Sequence, residues 1–234
     1  ALTGNAGGQY NTASGSQALF SNTTGQYNTA SGNQALYSNT TGYYNTASGY
    51  QALYGNTTGS YSTALGHKAA GEKTPQRNVI AIGNKAAYAN SGSDLIATGS
   101  DAAYNNFGYS VLALGPAAAY TNTGTNVIAI GGSAAHNNSG FDVIATGSDA
   151  AYSNSGRNVI ALGHGAAYSN TGFDVIATGT QAARFNTARG AIAIGNAAGF
   201  RNSGLELVAT GSGAGYRNSG NYVVALGTRS LAVN

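Results

Sequence analysis

The chain has 234 residues, of which only 10 are Lys or Arg and 7 are Asp or Glu, with 36 Gly, 2 Pro and no Cys, Met or Trp. Few Glu, Lys, Met and Arg exclude a helical bundle, absent Cys excludes disulfides, and no apolar run approaches the roughly 20 residues of a membrane helix. Ten scattered cations and a net charge of +3 exclude a nucleic-acid stripe.

Chain order shows one unit repeated throughout. Residues 1–66 carry no charged side chain and repeat every 17 residues, with Tyr10-Asn-Thr-Ala-Ser-Gly15 returning from Tyr27, from Tyr44 and, as Tyr-Ser-Thr-Ala-Leu-Gly, from Tyr61. Residues 67–77 form a charged junction holding His67, Lys68, Glu72, Lys73, Pro75 and Arg77, expected as a bulged loop or neck. Residues 78–234 repeat every 16 residues, from Val79-Ile-Ala-Ile-Gly83 through Val127-Ile-Ala-Ile-Gly131 to Val223-Val-Ala-Leu-Gly227. The sequence opens at Ala1 and closes inside a repeat at Asn234, as expected of an excerpt from a longer array or of a filament-forming subunit.

Three columns run through these units. Glycine closes every strand segment, as at Gly83, Gly99, Gly115, Gly131, Gly147 and Gly163. Asparagine recurs at Asn22, Asn39, Asn56, Asn90, Asn106, Asn122, Asn138, Asn154, Asn170, Asn186, Asn202 and Asn218, broken at Lys73. Aromatic residues recur at Tyr88, Tyr104, Tyr120, Tyr152 and Tyr168, with His136 and Arg184 standing in for two members. Sixteen residues are too few for a βαβ crossover, and Val-Ile-Ala-Ile is β-rich and too short for a helix. The predicted fold is all-β: a parallel β-solenoid, or β-roll, of about fourteen coils, with a second strand expected over segments such as Lys85-Ala-Ala-Tyr88. The Gly column serves positive φ or close backbone approach. The Asn column tolerates a left-handed turn and can bond from coil to coil, and the rings can stack with offset.

From residue 79 the strand is apolar on both sides, with Val and Ala on one and Ile, Leu or Thr on the other. One thin interior cannot bury both, so the second face is expected to meet another chain; the alternative is a monomer whose second strand and turns cover it. Residues 1–66 put Thr and Ser where Ile stands later and are expected to be the same solenoid with a polar lining. Six of the seven acids fall in coils with Thr at the fourth strand position, including Asp94, Asp101, Asp142, Asp149, Asp174 and Glu206. This alternation keeps like charges two coils apart; a row of weak cation sites, Asp94 with Asp101 and Asp142 with Asp149, is the sharper alternative. His67, His136 and His164 lack convergent partners in the sequence, so no catalytic residue, metal or cofactor is expected, and no enzyme.

The units Val127-Ile-Ala-Ile-Gly131, Val159-Ile-Ala-Leu-Gly163-His-Gly-Ala and Thr63-Ala-Leu-Gly66-His-Lys-Ala resemble the head repeats of YadA-type trimeric autotransporter adhesins. The unit Tyr27-Asn-Thr-Ala-Ser-Gly32-Asn-Gln-Ala-Leu-Tyr37-Ser-Asn-Thr-Thr-Gly42 is similar to repeats of phage tail-fibre-like proteins. The resemblance implies a left-handed β-roll with three chains side by side, on a bacterial cell surface or a virion, binding a host surface protein or glycan. The expected function is therefore a structural and adhesive extracellular fibre segment. A tail-fibre spacer and, less well supported, an ice-binding solenoid are the alternatives. An ice-binding solenoid would need a flat Thr array, and Thr stands singly in alternate coils of the charged section.

Overall fold

The computed structural model describes residues 2–72, 75 and 77–232. The chain forms two compact units, Ala1–Ala117 and Ala118–Asn234. The first contains β1 (Thr12–Ser14), β2 (Thr29–Ser31), β3 (Thr46–Ser48), β4 (Thr63–Leu65), β5 (Val79–Ile82), β6 (Leu95–Thr98) and β7 (Val111–Leu114). The second contains β8 (Val127–Ile130), β9 (Val143–Thr146), β10 (Val159–Leu162), β11 (Val175–Thr178), β12 (Ala191–Ile194), β13 (Leu207–Thr210) and β14 (Val223–Leu226). Within each unit the strands pair in parallel and in chain order, each with the same position of the next repeat: Thr29 faces Thr46, and Val143 faces Val159. The chain is thus an all-β parallel β-solenoid. Lys73 in the junction lies outside the described residues, and β4 and β5 on either side of it pair directly, Thr63 with Ile80.

Each coil holds one strand, not two. The expected second strand over residues 85–88 is a run of turns in which alternate residues, Lys85, Ala87 and Ala89, take φ of 50–54°. A left-handed non-glycine residue costs on the order of 1 kcal/mol, and the hydrogen bonds made there offset it. The amides of these residues point alternately to the two neighbouring coils: Lys85 N donates to His67 O at 2.9 Å, and Ala87 N to Ala102 O at 2.8 Å. The intervening amides close i→i−3 turns within the coil, as Tyr88 N does on Lys85 O at 3.1 Å. The backbone is therefore paired along the turns as well as along the strand.

The Asn column lies in the core. Asn154 is fully buried, and its Nδ2 donates to Asn138 Oδ1 at 2.9 Å and to Gly156 O at 3.0 Å. Its Oδ1 accepts from Gly156 N at 3.2 Å and from Asn170 Nδ2 at 2.9 Å. Each amide thus closes its own turn and joins two neighbours, and this pattern runs from Asn122 to Asn218. In the first unit Asn39 Oδ1 is buried without a hydrogen-bond partner. The ladder Asn residues do not have positive φ. Their selection comes from the amide's two donors and two acceptor lone pairs, and not from tolerance of the left-handed region.

The strand-closing glycines take both roles expected of them. Gly147 has φ of 124°, and a Cβ there would stand 2.8 Å from the carbonyl carbon and oxygen of Gly163 in the next coil. No L side chain fits that approach.

Residues 1–66 differ from the expectation of a Thr and Ser lining. Thr29 and Ser31 point outward and are exposed, while Ala30 between them is buried. The polar lining comes instead from the preceding position, where Asn28 and Asn45 are fully buried. Asn45 Nδ2 donates to Asn28 Oδ1 at 3.1 Å and to Gly59 O at 2.8 Å. Ser62 N then takes the Asn45 Oδ1 bond, Val79 N takes the Ser62 Oγ bond, and from Val79 the position is apolar. The opposite wall changes along with it. Buried Leu19, Leu36 and Leu53 face the Asn lining, whereas Ala70, Ala87 and Ala103 occupy that column once Val and Leu line the strand. Where Leu207 enters, Gly199 and Gly215 make room, with its methyl groups 3.3 and 3.1 Å from where their Cβ atoms would stand.

The ladder carries a direct test. Asn154→Ala orphans groups on Asn138, Gly156 and Asn170, so about 2–4 kcal/mol of stability is expected to be lost in urea unfolding. Ser155→Ala, at an exposed position of the same turn, is expected to change stability by less than about 0.5 kcal/mol. Equal effects would remove the ladder's structural role.

Candidate functional site

With Val, Ala, Gly and Asn inside, binding chemistry must come from outward columns. Three surfaces lie around the coil: the outer strand face, the position just before the strand, and the corner after it.

The outer strand face is apolar from β5 onward. Val79 is fully buried while Ile80 and Ile82 are 40% and 39% exposed, and the same alternation gives exposed Ile128 and Ile144 in the second unit. Among the described residues the chain's own turns leave this face uncovered. Along β1–β3 the same face carries Thr12, Ser14, Thr29, Ser31, Thr46 and Ser48, and the change to Ile falls between Thr63 and Ile80.

The column just outside the start of the strand holds two ladders whose members recur in the sequence but whose contacts with each other the sequence does not show. Tyr10, Tyr27, Tyr44 and Tyr61 stack with ring centroids 4.9, 4.8 and 5.4 Å apart. Tyr43 stands edge-on to Tyr44 and Tyr61, and together with Thr24, Gln26, Tyr27 and Thr41 it lines a groove of about 340 Å³. In later coils the same position alternates amide and carboxylate: Asn78 Nδ2 donates to Asp94 Oδ1 at 2.8 Å, Asn126 to Asp142 at 2.8 Å and Asn158 to Asp174 at 2.7 Å. This pairing gives the two-coil alternation of acids a positive cause beyond avoided repulsion. The Asn158 bond, and then Arg189 Nε at 3.1 Å, hold the Asp174 carboxyl below its ordinary range. Asp94 and Asp101 flank opposite ends of β6, and among the described residues no group of three or more acids or histidines converges as a metal site. On the far side of the strand Gln17, Gln34 and Gln51 form an amide ladder, exposed at Gln17 and half-buried at the other two, with 2.8 Å bonds. These columns obey the same 17- and 16-residue periods, so an alignment of every column would have found them.

The corner after the strand carries the expected aromatic column. Tyr88 and Tyr104 stack at 5.3 Å in the first unit, and Tyr120, His136, Tyr152 and Tyr168 follow at 4.9, 4.7 and 5.0 Å in the second, all half-buried. The Tyr88 phenol is pushed up to about 12, first by its hydrogen bond to the Glu72 carboxylate and then by burial. His67 stacks on Tyr50 at 5.3 Å, and His164 Nε2 lies 3.9 Å from Asp149 Oδ2. His67 and His164 share the column that follows the strand-closing glycine, in different units, and His136 belongs to the aromatic column. Comparison with protein-family models, with curated proteins and with solved structures finds no match to this chain.

His136 gives a measurable consequence. Burial lowers its pKa from the ordinary 6.5, opposed by the nearby Asp149 carboxylate, and its Nδ1 is buried without a hydrogen-bond partner. The unfolded chain therefore takes up the proton first, and stability is full above pH 6.5 and falls as the pH drops toward the folded pKa. Replacing the residue by its column's own type, His136→Tyr, is expected to flatten the stability profile between about pH 7 and 5. An unchanged slope in unfolding experiments would assign it to other groups.

Proposed function

We propose that this chain is a structural and adhesive extracellular fibre segment, in which copies lie side by side through their outer strand faces and present the remaining columns to a host surface protein or glycan. The observation that carries this reading is the exposed Ile and Leu face repeated in successive coils of both units. An isolated exposed Ile is ordinary, but an apolar strip renewed at every coil is a feature of association surfaces. It belongs to a scaffold whose outward positions are free to vary while its interior is fixed. Three copies around one axis follow from the resemblance to trimeric adhesin heads, and they would give each outer column three times, with the avidity that multiplicity brings. A cell-surface or virion setting comes from the same resemblance.

Ile128→Asp with Ile144→Asp places six carboxylates at two adjacent levels of such an assembly, where burial without partners is costly and like charges oppose each other. Light scattering of the parent is expected to give three times the chain mass of 23.2 kDa, and the double variant that of a single chain. Ser155→Asp, in an exposed turn, is expected to leave the parent's mass unchanged. A parent that is already a folded monomer would contradict the assembly.

A further inference from the structure

One corner of the second unit changes from aromatic to cationic along three coils. The tenth and eleventh positions of the coil are Tyr168 and Ser169, then Arg184 and Phe185, Phe200 and Arg201, and Tyr216 and Arg217. Backbone bonds hold them in register: Phe185 N donates to Tyr168 O at 2.8 Å, Arg201 N to Arg184 O at 2.8 Å, and Arg217 N to Phe200 O at 2.7 Å. Arg201 and Arg217 therefore occupy the same position in successive coils, about one strand spacing, ~4.8 Å, apart. Both are exposed, and Arg184 stands diagonally beside Arg201 with its buried Nε lacking a hydrogen-bond partner. Arg229, in the following coil, lines a groove of about 270 Å³ with Gly213, Tyr216 and Ala232.

Among the described residues no carboxylate pairs with these four guanidinium groups: the ion pairs are Arg189 with Asp174 and His164 with Asp149, neither of which involves these arginines. Neighbouring like charges at one coil spacing repel; the rings of Phe200 and Tyr216 lie beside Arg201 and Arg217 at 5.7 and 5.5 Å, and an anion from outside would relieve the repulsion. Guanidinium forks favour planar or tetrahedral oxyanions, held by two parallel bonds. The aromatic residues of the corner are already in use. Phe200 stacks on Tyr216 at 5.0 Å, and the Arg184 guanidinium lies 4.5 Å from the Tyr168 ring centre and 4.9 Å from that of Phe185. Such rings make a poor platform for stacking bases, which single-stranded nucleic acid requires. A ligand that carries its anions on a saturated, repetitive backbone fits better.

We propose that the corner formed by Arg184, Arg201, Arg217 and Arg229 binds a polyanionic polysaccharide, with sulfate or carboxylate groups bridging successive guanidinium forks. The inference rests on the adhesive reading above and narrows its ligand to an acidic glycan. The aromatic and uncharged columns of residues 1–66 take no part.

Calorimetric titration with a heparin dodecasaccharide and with an oligogalacturonate separates sulfate from carboxylate as the recognised group, with dextran as the neutral control. The parent is expected to bind at least one of the two polyanions and not dextran. Arg201→Gln with Arg217→Gln keeps the apolar stems and is expected to weaken binding by at least about tenfold and to lower the log–log salt slope by about two. Arg189→Gln, at the arginine paired with Asp174, is expected to leave affinity unchanged. Equal affinity of the double variant and the parent, failure of the parent to bind either polyanion, or tighter binding of a single-stranded oligonucleotide would each overturn the proposal. Light scattering of the same samples separates the two readings: a monomer that binds through these arginines contradicts the trimer alone, and a trimer indifferent to their loss contradicts this site alone.

Discussion

The asparagine ladder is the constraint from which the rest of the coil follows. A buried amide without partners costs more than its bonds contribute when they are made, and from Asn138 to Asn202 each ladder amide is bonded within its own turn and to both neighbouring coils. That fixes where the turn lies, and with it the register of the whole coil. With register fixed, the strand-closing glycines can approach the next coil closely, the left-handed alanines can point their amides at neighbours, and the rings can stack at one coil spacing. None of these is stable in an isolated coil. The arrangement is nearest-neighbour in character, as in other solenoids, so stability grows by stacking and not by enlarging a core.

Interior and exterior follow different rules. The strand-lining position passes from Asn28 and Asn45 through Ser62 to Val79, and the opposite wall adjusts from Leu53 to Ala70 and Ala87, so the backbone repeat survives a complete change of core chemistry. Outside, one column is a tyrosine stack in early coils and an asparagine–aspartate ladder in later ones, and another turns from tyrosine to arginine. Neighbouring members of an outer column still have to tolerate each other at one coil spacing, which selects stacks, amide ladders and alternating charge. Arg201 and Arg217 depart from this rule: they are like charges at one coil spacing, with aromatic rings and, among the described residues, no carboxylate beside them.

Much of this was legible in the sequence because the repeat makes columns visible. The Val and Ile faces follow from the period-two geometry of a strand, the Gly column from close backbone approach, and the Asn column from inter-coil bonding, though not from the left-handed turn also expected of it. Three features were not legible. Alanines at positions such as 86 and 87 read as strand because nothing in an alanine side chain announces a left-handed backbone; the pattern is stabilised by inter-coil bonds that only the stacked structure supplies. Thr29 and Ser31 were placed inside because polar replacement of Ile was read as a change of lining, whereas Ile itself faces outward and the lining change sits one residue earlier, at Asn28. The Asn–Asp pairs were missed because each partner lies in a different coil, so neither coil alone shows the reason for the acid.

The most direct measurement of the central claim is hydrogen exchange of the asparagine side-chain amides by NMR. If the ladder carries the fold, the Nδ2 protons of Asn138, Asn154 and Asn170 exchange as slowly as the backbone amides of β9 and β10, and are released in the same cooperative opening. Exchange at the rate of a free asparagine side chain, with the strand amides still protected, would contradict it.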